Sequence, residues 1–222
     1  MKNDFNSDLF GLGNLKIKGA IFDLDGVIVD TAKYHYLAWK RLAAELGFYF
    51  SEDHNERLKG VSRMRSLDIL LEVGGVIMAD DQKNEAASRK NAWYVEYLYT
   101  LDETALLSGT KEYLICLREN GIKIALGSAS KNAPLILERL NIAGFFDAVI
   151  DGNSVSKAKP DPEVFLKGAA SIGIKPEHCV VFEDALAGIE AARAGGMSVI
   201  AVGKIEQLPG ADRYIASLSD ML

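Results

Sequence analysis

Hydrophobic residues fall into two rhythms along this chain. Short, continuously apolar runs at Ile17–Phe22, Ile122–Leu126, Ala148–Ile150, Cys179–Phe182 and Ser198–Val202 have the pattern of strands buried on both faces. Between the later runs, apolar residues recur at helical spacing over Thr110–Glu119, Ala133–Leu140, Pro162–Ile172 and Leu186–Ala194. The last three follow turn-forming or capping residues, as at Asp161-Pro162, where proline suits the first helical turn. Strands alternating with helices predict an α/β fold, a Rossmann-like parallel sheet with right-handed crossovers.

One connection breaks the alternation. The stretch between the first and second apolar runs is several times longer than an ordinary crossover of ~10–15 residues. Its pattern is helical throughout. Tyr34, Leu37, Ala38, Leu42 and Leu46 make one stripe, and Asp80–Tyr99 reads as a second long helix. The prediction is a helical cap domain, residues 32–105, inserted into an α/β core made of 17–31 and 106–222. Residues 1–16 form an extension with no assigned role and read as a candidate for disorder.

In an open parallel sheet, ligands bind beyond the carboxyl ends of the strands. The residues in those places are Asp23 and Asp25, Ser128–Asn132, Lys159, and Glu183 with Asp184. Asp23 and Asp25 are two apart, so both can face one side of an extended segment. Each acid alone would be an ordinary strand-end carboxylate. Together they would repel one another without a counter-ion, which points to a hard cation with oxygen ligands, Mg²⁺ above all.

Composition narrows the field. Of 222 residues 49% are hydrophobic, enough for a sizeable core without staples. The formal net charge of -6 carries no basic footprint for nucleic acid. The two cysteines, Cys116 and Cys179, lie far apart in apolar segments and read as small buried hydrophobes in a reducing compartment. No apolar leader or membrane-length run is present, so the expectation is a cytoplasmic protein with no membrane partner.

The run AIFDLDGVIVDT at 20–31 resembles the first motif of the haloacid dehalogenase superfamily. Ser128 resembles the second motif, Lys159 in AKPDPEVF the third, and Glu183-Asp184 in VVFEDALAG the fourth. The resemblance implies that Asp23 is a nucleophile and Asp25 a general acid/base. It also implies Mg²⁺ held by Asp23, the backbone carbonyl of Asp25, Glu183 and Asp184. Lys159 would neutralise charge on the transferring phosphoryl group, and Ser128-Ala129 would donate to it.

The segments around the cap resemble the β-phosphoglucomutase branch of that superfamily. DTAKYHYLAWKRLAAELG carries Thr31, His35 and Trp39, and RLKGVSRMRSL carries Leu58, Gly60, Val61, Ser62, Arg63 and Ser66. RKNAWY carries Lys90 and Asn91, and SASKN carries Ser128, Ala129, Ser130, Lys131 and Asn132. The branch implies catalytic roles for Thr31 and His35, with the others binding a sugar phosphate. By their own chemistry His35 and Trp39 would be packing partners, Arg63 and Lys90 solvated helix charges, and 59–62 an inter-helix turn. The implied reaction converts β-glucose 1-phosphate to glucose 6-phosphate through phosphorylated Asp23 and a bisphosphate, in a monomer. Two alternatives stay open: a sugar-phosphate phosphatase with the same core, and a non-enzymatic phospho-accepting domain.

Overall fold

The computed structural model describes residues 9–13, 15–58 and 61–222. A parallel sheet of six strands has the order β3-β2-β1-β4-β5-β6: β1 (Gly19–Phe22), β2 (Lys123–Gly127), β3 (Ala148–Ile150), β4 (Cys179–Glu183), β5 (Ser198–Val202) and β6 (Arg213–Ile215). The chain leaves β1 toward β2 and β3 on one side, then returns to build β4, β5 and β6 on the other. The order reverses between β1 and β4, and a crevice opens there.

Successive side chains of a strand point to opposite faces, and the core divides accordingly. Phe22, Leu126, Phe182 and Ile200 face one way. Ile21, Ala125, Val181 and Val199 face the other, under α7 (Glu163–Ser171) and α8 (Leu186–Ala194). At the centre, the rings of Phe22 and Phe182 stack 4.6 Å apart at 7°. The first face is covered by α5 (Thr110–Glu119) and α6 (Ala133–Arg139).

Four helices, α1 (Ala32–Glu45), α2 (Glu52–Glu56), α3 (Arg63–Gly74) and α4 (Asp80–Leu98), lie between β1 and α5, and α1, α3 and α4 pack on one another as a helical cap. In α1 the buried stripe is Ala38, Trp39, Leu42 and Ala43. Leu37, expected on that stripe, is 45% exposed, because the buried arc of α1 runs through Ala38, Trp39, Leu42 and Ala43 on the far side of the helix. A Ser51–His54 capping box holds α2: Ser51 Oγ accepts from His54 N at 3.2 Å, and His54 Nδ1 from Ser51 N at 3.3 Å.

Three features depart from the sequence reading. Strand β6 has no apolar run of its own; it is a short edge strand in which only Ile215 is buried. Cys116 is half-buried rather than enclosed, whereas Cys179 is buried in β4 and its thiol is pushed up to about 12 by burial. The described part of the N-terminal extension is docked. Phe10 is 2% exposed, packs 6.4 Å from Phe182, and its carbonyl accepts from Arg213 Nη1 at 2.8 Å.

That contact makes a residue outside the alternating pattern part of the core. Phe10→Ala should lower stability by about 3 kcal/mol, the low end for a buried phenylalanine. Urea denaturation followed by circular dichroism measures this; an unchanged midpoint would show that the segment adds nothing to the fold.

Candidate active site

The site begins with strand register. Phe22 pairs with Phe182, and Asp23 N donates to the Phe182 carbonyl at 2.9 Å, so Asp23 and Glu183 emerge side by side. Lys159, from the loop before α7, reaches both: its Nζ lies 2.6 Å from Asp23 Oδ1 and 2.8 Å from Glu183 Oε2. All three are nearly inaccessible, at 5%, 0% and 4% exposure for Asp23, Glu183 and Lys159. Burial alone would lower the Lys159 pKa, but the two carboxylates outweigh it and hold the ammonium above its usual range. Burial and the Asp23 charge push Glu183 well above the ordinary carboxylate range.

Asp184 completes the cluster. One carboxylate oxygen from each of Asp23, Glu183 and Asp184 lies within 4.8 Å of the others. Three carboxylates facing one lysine leave an excess of negative charge, and an all-oxygen donor set suits a hard divalent cation. Two glycines permit this crowding. A Cβ at Gly188 would lie 2.0 Å from Glu183 Cδ, and one at Gly26 would lie 2.0 Å from Asp184 Oδ2.

Gly26 also turns the chain, with φ of +80° and its N–H donating to Val29 O at 2.8 Å. That turn folds Asp25 back beside Asp23. Thr31 stands at the N-cap of α1 but makes no side-chain cap; its hydroxyl donates to Asp25 Oδ1 instead. Burial first, and then the Asp23 charge, raise Asp25 to about 7. Near neutral pH such a group both gives and takes a proton.

The loop after β2 is built from nested turns. Ser128 Oγ accepts from Ser130 N at 3.0 Å, and Ser130 Oγ from Asn132 N at 3.2 Å. Asn132 Nδ2 then donates to Asn91 Oδ1 at 2.9 Å, linking the core loop to α4. Asn153 braces the same loop by donating to Lys131 O at 3.0 Å, while the Lys131 side chain is exposed. Gly152 lets the strands approach: a Cβ there would sit 2.4 Å from Ala129 O.

On the cap, Lys90 is not a solvated helix charge. It is 2% exposed, with Nζ 2.9 Å from His35 Nδ1 and lying over the rings of Trp39 and Tyr94 at 4.4 and 4.7 Å. Burial and the Arg63 charge hold its pKa well below the usual lysine range. Burial, then Lys90, likewise depress His35, leaving a neutral imidazole to accept from Lys90. Arg63 opens α3 behind its N-cap Ser62, whose Oγ accepts from Arg65 N at 3.3 Å. Arg63 is half-buried, and no acid pairs with it among the described residues.

A cavity of about 400 Å³ joins these pieces. From the core come Asp23, Asp25, Ser128, Ala129, Ser130, Lys131, Asn132 and Asp184. From the cap come His35, Trp39, Leu58, Val61, Arg63, Ser66, Lys90 and Asn91. Ser62 and Lys159 instead line an adjoining cavity of about 430 Å³ that shares Arg63, Ser128, Ala129 and Lys131. Thr31 and Glu183 lie behind the wall, touching it through Asp25 and Lys159. Gly60 lies outside the described residues. The wall also includes Asp30, Asn55 and Leu107, which the sequence reading did not single out. Asn55 sits in a polar run, EDHNE, that carries no periodic mark of burial.

Residues 17–196 match the family model of haloacid dehalogenase-like hydrolases. The chain is 44% identical over 207 residues to a β-phosphoglucomutase of Bacillus subtilis, covering 92% of each protein. It is 32% identical to a phosphorylated carbohydrates phosphatase of Thermotoga maritima, covering 83% of this chain and 84% of that one. The crystal structure of a β-phosphoglucomutase from Clostridium difficile superposes with a TM-score of 0.89 at 40% identity, over 93% of both chains.

Lys159 is the cation that lets two buried carboxylates stand together. In chelator, Lys159→Ala should destabilise the fold by about 3–5 kcal/mol, as removal of one partner from a buried ion pair does. Thermal denaturation in EDTA reads the loss; a melting temperature equal to wild type would show that the acids relax without Lys159.

Proposed function

The chain belongs to the haloacid dehalogenase-like hydrolase family, and from that premise we propose that it interconverts β-glucose 1-phosphate and glucose 6-phosphate through a phosphoryl group carried on Asp23. The observation that carries the reading is a pair of adjoining cavities, sharing Arg63 and Lys131, with cationic groups at two places. Lys159 stands behind Asp23 on the core, and Arg63, without an acid partner among the described residues, faces the cavity from the cap; Lys131 also lines the wall. A substrate that carries a phosphate at each end needs two such anchors, whereas simple hydrolysis of a monophosphate needs one. The β-phosphoglucomutase relative at 44% identity supports the same reading.

In this reading, residues 32–105 close over the core and keep water from the phosphorylated enzyme. Asp23, the Asp25 backbone carbonyl, Glu183 and Asp184 would hold Mg²⁺, which when bound supplies positive charge against the phosphoryl oxygens. Phosphorylated Asp23 transfers its phosphoryl group to the 6-hydroxyl of β-glucose 1-phosphate, and Asp25 takes the hydroxyl proton. The P–O bond to Asp23 breaks as the bond to the sugar oxygen forms, leaving the Asp23 carboxylate free. The bisphosphate turns end for end. Asp23 then attacks the 1-phosphate, and Asp25 returns its proton to the departing sugar oxygen. Thr31 orients Asp25 throughout, while neutral His35 and Lys90 form the polar floor of the cap.

The deciding assay follows β-glucose 1-phosphate to glucose 6-phosphate, beside release of free phosphate. Phosphate as the dominant product would replace the mutase by the sugar-phosphate phosphatase that the Thermotoga maritima relative represents. Asp25→Asn should slow the conversion by ~10²-fold or more, the scale of general acid–base catalysis. Intact-mass analysis should still show phosphorylation of its Asp23 by acetyl phosphate, a donor that carries no sugar hydroxyl to deprotonate. Near-normal turnover by that variant would assign the proton to another group.

Arg63→Ala removes the distal anchor. Losing a hydrogen bond to a charged group, ~1.5–3 kcal/mol, should slow the mutase roughly ten- to a hundred-fold. Phosphorylation of Asp23 by acetyl phosphate should be largely intact, and equal losses in both reactions would remove Arg63 from that role.

A further inference from the structure

One polar side chain on the cap wall of the cavity is enclosed with its acceptor oxygen unpaired. Asn55 lines the cavity, is only 8% exposed, and its Oδ1 is enclosed without a partner among the described residues. Its neighbours on the wall are committed: Lys90 to His35, and Asn91 to Asn132. The unpaired atom is the acceptor end of the amide, Oδ1. A buried, unpaired amide is destabilising and needs an explanation.

The chain holds Asn55 in this position. The Ser51–His54 capping box fixes the start of α2, and the His54 ring packs 5.7 Å from Phe50, which is 1% exposed. Asn55 follows directly, and its carbonyl accepts from Leu58 N at 2.9 Å. Its amide is therefore presented by a capped turn.

We infer that Asn55 is a specificity-determining residue, whose amide pairs with a non-reacting hydroxyl of the sugar. The chemistry of the wall selects that ligand. Anionic ends of a substrate belong with Lys159, Arg63 and Lys131, and the reacting hydroxyl belongs with Asp25. A neutral amide beside Trp39 and Leu58 matches the neutral, hydroxyl-bearing middle of a hexose. An amide both accepts and donates, so it fits a hydroxyl in either direction. The inference rests on the sugar-phosphate reading above but not on whether the phosphoryl acceptor is sugar or water.

The test compares Asn55→Ala and Asn55→Leu with wild type on β-glucose 1-phosphate, its 2-, 3- and 4-deoxy analogues, and acetyl phosphate. kcat/KM for the parent sugar should fall about ten- to a hundred-fold, the range for losing a buried hydrogen bond. Phosphorylation of Asp23 by acetyl phosphate should be unchanged. For one deoxy analogue, already poor with wild type, the substitutions should add little further loss. Asn55→Leu should melt at or above the wild-type temperature, because it removes an unpaired buried amide. An equal loss on all four sugars, an equal loss on acetyl phosphate, or no loss on the sugar overturns the assignment. So does a lowered melting temperature of Asn55→Leu with sugar turnover retained. If wild type releases phosphate instead of forming glucose 6-phosphate, the mutase reading falls, and the same comparison on phosphate release still decides the role of Asn55.

Discussion

Everything at this site depends on the contact of Lys159 with Asp23 and Glu183 at the junction of β1 and β4. Parallel pairing in register brings two carboxylates out side by side, where burial would protonate at least one of them. A lysine held at 2.6 and 2.8 Å changes that balance. It offsets part of the negative charge of the two acids and leaves the cluster with charge to spare for a cation. The fold supplies the place through the reversal of strand order, which opens a crevice at that junction alone.

Crowding of charge shapes the surrounding backbone. Gly188 is required for room and Gly26 for room as well as for its positive φ, since a methyl group at either would overlap a carboxylate of the cluster. Gly152 does the same for the loop that carries Ser128–Asn132, where the neighbouring carbonyl occupies the space a Cβ would need. The acids and the Ser128–Asn132 loop are thus brought together by the absence of side chains between them.

The cap follows a different logic. Lys90 is enclosed among His35, Trp39 and Tyr94 with no carboxylate bonded to it, an arrangement that burial disfavours. Among the described residues, Arg63 is half-buried without an acid partner, and the Asn55 Oδ1 is enclosed without a hydrogen bond. Each is unfavourable in the empty protein, and each lines the same cavity. A ligand rich in negative charge and hydroxyl groups would favour all three: it would pair with Arg63 and the Asn55 oxygen and offset the buried charge of Lys90.

The sequence by itself determined the alternating α/β core, the position of the long helical insertion, and the strand-end placement of Asp23, Asp25, Ser128, Lys159, Glu183 and Asp184. These features are local: they follow from apolar runs, from helical spacing, and from the rule that strand ends gather at one edge of a parallel sheet. Among the cap residues, resemblance rather than physical patterning drew attention to Lys90 and Arg63, because a cation on a helix looks the same whether solvated or enclosed. Only the tertiary structure decided that Lys90 is buried against aromatic rings, that α1 buries Trp39 and leaves Leu37 exposed, and that Phe10 joins the core. It alone showed β6, whose place comes from pairing with β5 rather than from its own residues. Asn55 was invisible for the same reason. Burial and the lack of a partner are properties of neighbours distant in the chain, and no spacing within a short polar helix records them.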